Sequence, residues 1–367
     1  MQNKNLTRRQ FFEIFGYTAL VGTAFYLGSN RIVDLLSKPK QNRFLAGVDF
    51  DGYNVNREAT VKLPNGGYKV IETGYYSIYT VLEFAKRVHA NLIGIVPYYP
   101  EKLFRNSDQD QIDYNEYRFE LLKEGDGVVR GILNHSDVRG KKYVLFRIKD
   151  FPDYQKLPKE FDGYDFLGHL AENIARISSI ASAKNSIIEL EANITDESSN
   201  RVNKIIERVK KIYPKIVTAI SLIDHKDRFG DLWYRKVLDD YSKNADVVIL
   251  NSYLSDTKQL KENILHIKGK NKKVIPRVIT GEFRRNYGFS GDEKDLEAMV
   301  NTAYENADGC IVGDISGVWL YVGEKNLLDG GRRRDSLKRL YFKYLGYSME
   351  EPSNSTIPQV FNGVSGL

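Results

Sequence analysis

Ser186-Ile187-Ile188-Glu189-Leu190-Glu191, Ile216-Val217-Thr218-Ala219-Ile220-Ser221-Leu222-Ile223 and Asp246-Val247-Val248-Ile249-Leu250-Asn251-Ser252-Tyr253 are three apolar runs of β character. Between the first two lies Arg201 to Ile212, where Val202, Ile205, Ile206, Val209 and Ile212 recur at helical spacing before Pro214. A strand, a helix and a strand in succession require parallel pairing with a crossover. The same rhythm continues in both directions. Toward the C-terminus come a helix near Asp256 to His266, a strand from Lys273 to Thr280, a helix at about Lys294 to Asn306, a strand from Gly309 to Ile315 and a closing helix from Arg332 to Leu345. Toward the N-terminus, a helix from about Phe166 to Ala183 leads into the central run. Tyr143 to Ile148 is the preferred third strand. Its competitor, Val128 to Leu133, is assigned to an insertion hairpin with Tyr68 to Ile71 or with its own neighbours. Asn91 to Pro97, a helix-like segment around Ile78 to His89 and Leu45 to Phe50 complete the series. Eight units in about 300 residues fit an α/β fold of the (β/α)8 barrel type, usually about 250 residues plus insertions. A doubly wound open sheet would place a glycine-rich phosphate turn after the first strand, and Asp49-Phe50-Asp51-Gly52-Tyr53 is not one.

The composition is that of a globular protein, with 42% hydrophobic and 28% charged residues, which argues against disorder. The chain has 24 Tyr and 18 Phe, a supply that serves either a barrel core or wet binding surfaces. Its net charge of +6 is modest, and Arg332-Arg333-Arg334 is too short a run for a nucleic-acid footprint. The single Cys310 excludes an intrachain disulfide and a cysteine-rich metal site. His89, His135 and His225 show no HxH or HExxH spacing, and there is no GxSxG elbow or P-loop. No metal, cofactor or nucleic-acid partner is expected.

Thr7-Arg8-Arg9-Gln10-Phe11-Phe12 resembles a twin-arginine export motif, and an apolar stretch from Phe11 to Gly28 follows it. Residues 1–28 are therefore read as a signal or anchor that engages export machinery, and the protein as exported, either secreted or membrane-anchored. Residues 29–43 form a polar, proline-punctuated tether, residues 44–350 the barrel and residues 351–367 an irregular tail.

Side chains alternate along a strand, so Ile187, Glu189, Glu191 and Asn193 share the face toward the barrel axis, while Ile188, Leu190 and Ala192 pack outward. Glu189 lies deeper and is assigned to an ion pair, with Arg147 as partner, and Glu191 to the rim. On the seventh strand Val278, Thr280 and Glu282 are placed on the axis face. Asp49, Asp51 and Tyr53, then Asn251 and Tyr253, then Asp314 with Trp319 beyond it, bring further polar and aromatic groups to the same rim. Carboxylates, an amide, a phenol and an indole at the C-terminal ends of separate strands suit catalysis on a small molecule or polymer.

These segments resemble retaining (β/α)8 glycoside hydrolases of the clan A type. Val278-Ile279-Thr280-Gly281-Glu282-Phe283 is similar to the seventh-strand segment that holds the nucleophile. Ile188-Glu189-Leu190-Glu191-Ala192-Asn193 falls where the clan carries its acid/base. Leu190 stands where the clan usually has Asn, and Gly281 interrupts the usual Thr-Glu-Phe spacing. The resemblance implies Glu282 as nucleophile and Glu191 as acid/base. It also implies a tyrosine beside the nucleophile at Tyr253 and a sugar platform at Trp319. Asp49, Asp51, Tyr98, Asn193, Asn251 and Asp314 are candidate substrate-binding residues, and Tyr99, Trp233, Tyr234 and Tyr321 are further candidate platforms. The expected function is hydrolysis of an extracellular polysaccharide or glycan, with carbohydrate as the partner. The alternatives are a catalytically silent barrel that binds surface glycans or serves in the envelope, and a phosphate-using barrel with Gly330-Gly331-Arg332-Arg333-Arg334 at its cleft.

Overall fold

Eight of the runs form parallel strands that close on one another. The computed structural model describes residues 44–50, 57–62, 68–73, 78–98, 114–149, 163–191, 198–224, 233–252, 255–279, 284, 288–313 and 328–345. In chain order the elements are β1 (Leu45–Phe50), β2 (Arg57–Lys62), β3 (Tyr68–Thr73), α1 (Ile78–Arg87), β4 (Leu92–Ile95), α2 (Tyr114–Asn134), β5 (Tyr143–Lys149), α3 (Gly163–Ile180) and β6 (Ser186–Glu191). They continue with α4 (Ser198–Ile212), β7 (Val217–Ile223), α5 (Trp233–Tyr241), β8 (Val247–Ser252), α6 (Thr257–Gly269), β9 (Lys273–Val278), α7 (Glu293–Asn306), β10 (Gly309–Val312) and α8 (Leu328–Leu345). Strands β1, β4, β5, β6, β7, β8, β9 and β10 follow one another around a closed barrel, with β10 pairing back onto β1. The fold is a (β/α)8 barrel.

Two hydrophobic layers follow from strand alternation. Outward residues such as Val48, Ile93, Phe146, Ile188, Ile220, Val248 and Val312 pack under the helices. Leu45, Leu92, Leu145, Ile187, Ala219, Ile249, Ile275 and Ile311 fill the interior. On α4, Val202, Ile205, Ile206 and Val209 are all buried, which is the stripe their spacing predicts. Each such side chain contributes roughly 1.5–3 kcal/mol relative to exposure. Asp256 caps α6 by accepting from the Gln259 amide at 2.7 Å, and Asp292 caps α7 by accepting from the amides of Lys294 and Asp295.

The segment Val128 to Leu133 is not part of a hairpin. It is the last third of α2, with Val128, Val129, Ile132 and Leu133 all buried. Four β-branched or leucine residues give it β propensity, but their spacing also fits one helical face, and packing on the barrel decides between the two. Tyr68 does lie in a hairpin, in β3 antiparallel to β2. Among the described residues no helix is long and apolar enough to cross a membrane.

Candidate active site

All eight strands run the same way, so their C-terminal ends form one rim, and the layer just below it is polar. Asp49 on β1, Arg147 on β5, Glu189 on β6, Ser221 on β7, Asn251 on β8 and Arg277 on β9 are all buried there. Arg277 is the hub. Its Nη1 donates to Glu189 Oε1 at 2.8 Å and to Asn251 Oδ1 at 2.7 Å, and its Nη2 donates to Glu189 Oε2 at 2.5 Å. Its Nε lies 2.6 Å from Asp49 Oδ2. Arg147 Nη1 reaches the same Asp49 oxygen at 2.8 Å, and Arg147 Nε lies 3.7 Å from Glu189 Oε2. Ser221 Oγ donates to Glu189 Oε1. Two guanidinium groups and two carboxylates thus form a neutral cage closed to water.

Two glycines leave room for it. A β-carbon at Gly94 would sit 2.7 Å from Asp49 Oδ1, and one at Gly313 would sit 3.0 Å from Arg277 Cγ. Burial and the nearby Arg147 charge oppose the Arg277 charge. Glu189 and Asp49 outweigh both and raise its pKa above the ordinary arginine value.

The predicted residues divide into those the structure describes and those it does not. Glu189 is in an ion pair, as its depth suggested, but its bidentate partner is Arg277 across the barrel, with Arg147 more distant. Asp49 and Asn251 face the axis as expected, and both are engaged with Arg277. Glu191 ends β6, with Lys149 as its register partner on β5. Its side chain, like Asp51, Asn193, Tyr253, Glu282, Asp314 and Trp319, lies outside the described residues. So do Tyr99, His225 and Tyr321.

Tyr98 is buried in the core, its ring against the backbone of Gly125 on α2 and its hydroxyl donating to Asp126 at 2.7 Å. Burial, then the Asp126 charge, raises its pKa. Tyr234 is likewise buried, its hydroxyl 2.9 Å from Asn263 Oδ1. The parity of β9 is the reverse of that expected. Val278 packs outward in the hydrophobic core, while Ile275 and Arg277 face the axis. This parity places a cation where it neutralises Glu189 and Asp49, while Val274 and Val278 pack in the outer core. Arg277 was legible only as a lone cation in the run Val274-Ile275-Pro276-Arg277-Val278; two inward carboxylates were the signal that a second inward cation was required.

No family model and no curated protein matches this chain. Solved structures that are similar to it include a glycoside hydrolase family 5 enzyme from Prevotella bryantii, solved with a xyloglucan tetradecasaccharide. That match has 10% identity, covers 83% of this chain and 99% of that chain, and has a TM-score of 0.49. XacCel5A in complex with cellopentaose matches at 12% identity over 81% of this chain and 99% of that chain, with a TM-score of 0.49. An oxaloacetate acetylhydrolase matches at 11% over 78% and 80%, with a TM-score of 0.47. Glycoside hydrolases are thus among the structural neighbours, beside an enzyme of unrelated chemistry, and function has to be argued from the site.

Proposed function

We propose that this chain is a glycoside hydrolase that cleaves an extracellular polysaccharide or glycan with retention, using Glu191 as acid/base and Glu282 as nucleophile. The observation that carries this reading is the engagement of Glu189. Glu189 is fully buried, with both oxygens held by Arg277 and one also by Ser221, so it is an ion-pair member and not a group presented to a substrate. Glu191 is the next residue of the same parity, at the end of the fourth barrel strand. Glu282 comes four residues after the end of the seventh strand in sequence, and barrel enzymes carry catalysis beyond the C-terminal ends of their strands. Because Val278 points outward, alternation has to break for Glu282 to reach the axis. Gly281, directly before it, gives the backbone that freedom.

In this mechanism Glu191 protonates the leaving oxygen while Glu282 attacks the anomeric carbon. The glycosyl ester is then hydrolysed by water that Glu191 deprotonates. The two carboxyl groups of a retaining pair stand about 5–5.5 Å apart. The Arg277–Glu189 pair, one layer down, links the two strands that lead to them. Export is part of the proposal and rests on the twin-arginine-like segment Thr7 to Phe12.

The test is reducing-sugar release from a broad glycan panel by the full chain, Glu282→Gln and Glu191→Gln. Loss of release in Glu282→Gln, and a fall of about 10²–10⁴-fold in Glu191→Gln, supports the assignment. Release indifferent to both substitutions would discard the site. An absence of release with glycans still retained would favour a binding barrel.

A further inference from the structure

The N-terminal ends of the eight strands form the opposite face of the barrel, and its charge is unlike that of the rest of the chain. Consider the last turns of α1 to α7 with the short loops that join each to the next strand. They hold thirteen Lys and Arg against six Asp and Glu, a net of +7, whereas the whole chain carries +6. This one face therefore accounts for the protein's positive charge. Cations in a last helical turn offset the helix dipole, but Arg139, Lys141, Lys184, Lys215 and Lys243 lie beyond the helices, in the loops.

Together with Lys211 these residues are exposed, and none has an acidic partner among the described residues. They precede β5, β6, β7 and β8, which are consecutive around the barrel, so they form one continuous arc. Their crowding is visible in Lys142, whose pKa is lowered by burial and by Lys141 and Lys86 against the opposing pull of Asp137. The acids that do lie on this face are largely committed. Asp246 pairs with Lys210, Asp308 with Lys268 and Asp239 with Lys270.

The chain also enters the barrel here. Phe44 precedes β1 and is fixed edge-on to Tyr304 at 5.1 Å and to Tyr344 at 6.0 Å, at the N-terminal end of the parallel strands. A flexible tether of the length expected over residues 29–43 would span roughly 20 Å. An apolar segment at 11–28 seated in a bilayer would therefore hold this face within reach of the headgroups.

We propose that the N-terminal face of the barrel docks on an anionic phospholipid surface, through the arc from Arg139 to Lys243, so that the catalytic rim points away from the membrane. Exposed cations without an acidic partner among the described residues, set around a closed barrel, match headgroup phosphates, each cation near such a surface being worth about fivefold in partitioning. The attraction acts only within about 10 Å at moderate salt.

The test uses the full chain with one introduced thiol, since Cys310 is buried. Lys215→Cys and Ile223→Cys stand at opposite ends of β7, and each is labelled with a fluorophore read by an aqueous quencher. The expected result is shielding at position 215, and not at 223, by vesicles that mix phosphatidylcholine with phosphatidylglycerol. The shielding should weaken with salt. In the 215-labelled chain, the combined Lys141→Glu, Lys184→Glu and Lys211→Glu substitutions should weaken it on the order of 100-fold or more, with the thermal transition retained. Equal shielding at both positions, equal shielding by phosphatidylcholine alone, or indifference to the charge reversal would overturn the proposal. So would a response to duplex nucleic acid without one to vesicles.

Discussion

Take away the Arg277 guanidinium, and Glu189 and Asp49 are left facing each other in a volume closed to water, with only Arg147 between them. Breaking a buried pair from one side costs about 3–5 kcal/mol, because the remaining charge stays desolvated. Arg277→Met should therefore lower unfolding free energy by about that amount in urea titration. Adding Glu189→Leu to it should restore part of the loss, since the stranded carboxylate is then gone. A loss under about 1 kcal/mol for the single substitution would mean that the cage is hydrated in solution. At this scale Glu189 could be recognised as an ion-pair member because a deep inward carboxylate needs a cation. Its chief partner was not recognised. Parity along one strand says which way a side chain points, but only barrel closure says what lies opposite.

Elements reach their ends by local chemistry that the sequence states openly at some places and obscures at others. Asp256 and Asp292 are ordinary caps, legible as acids before helical runs. The end of α1 is less so. His89 takes φ 57°, where glycine is usual, and the Ala90 amide closes back to Ala85 at 2.8 Å. Burial, followed by the charges of Lys338 and Lys142, lowers the His89 pKa below its ordinary 6.5. The folded state thus prefers neutral His89. Its contribution to stability is complete above about pH 6.5 and is lost as the pH falls through the lower folded value. Asparagine tolerates the same left-handed backbone without titrating. His89→Asn should accordingly show a smaller fall in melting temperature between about pH 7.5 and about pH 5.5 than the unsubstituted chain. An unchanged fall would assign the pH response elsewhere, with His266 the next group to test, since burial lowers its pKa as well. Helix α2 was missed at this scale because Val128, Val129, Ile132 and Leu133 satisfy β propensity and helical spacing alike, and only the barrel surface beneath them distinguishes the two.

Closure is a property of the whole molecule, and its seam lies between the first and last strands. Tyr341 on α8 donates to the Gly47 carbonyl at 2.6 Å, 294 residues away in the chain, tying the closing helix to β1 where β10 meets it. Tyr341→Phe should cost about 0.5–1.5 kcal/mol, the net worth of one hydrogen bond. The denaturant slope should be unchanged, and amide exchange should rise first along β1 and β10. Exchange that rises evenly over all eight strands would show that the bond does not close the seam. The eight-fold alternation of strands and helices, the outward stripes and the depth of Glu189 were determined by the sequence. Hydrophobic period and turn chemistry are local and need no partner to be read. The Arg277 hub, the reversed parity of β9, the core position of Tyr98 and the basic face beneath the barrel were decided only by tertiary structure. Each depends on residues far apart in the chain being brought together at one level of a closed cylinder, where charge must balance and volume must fill.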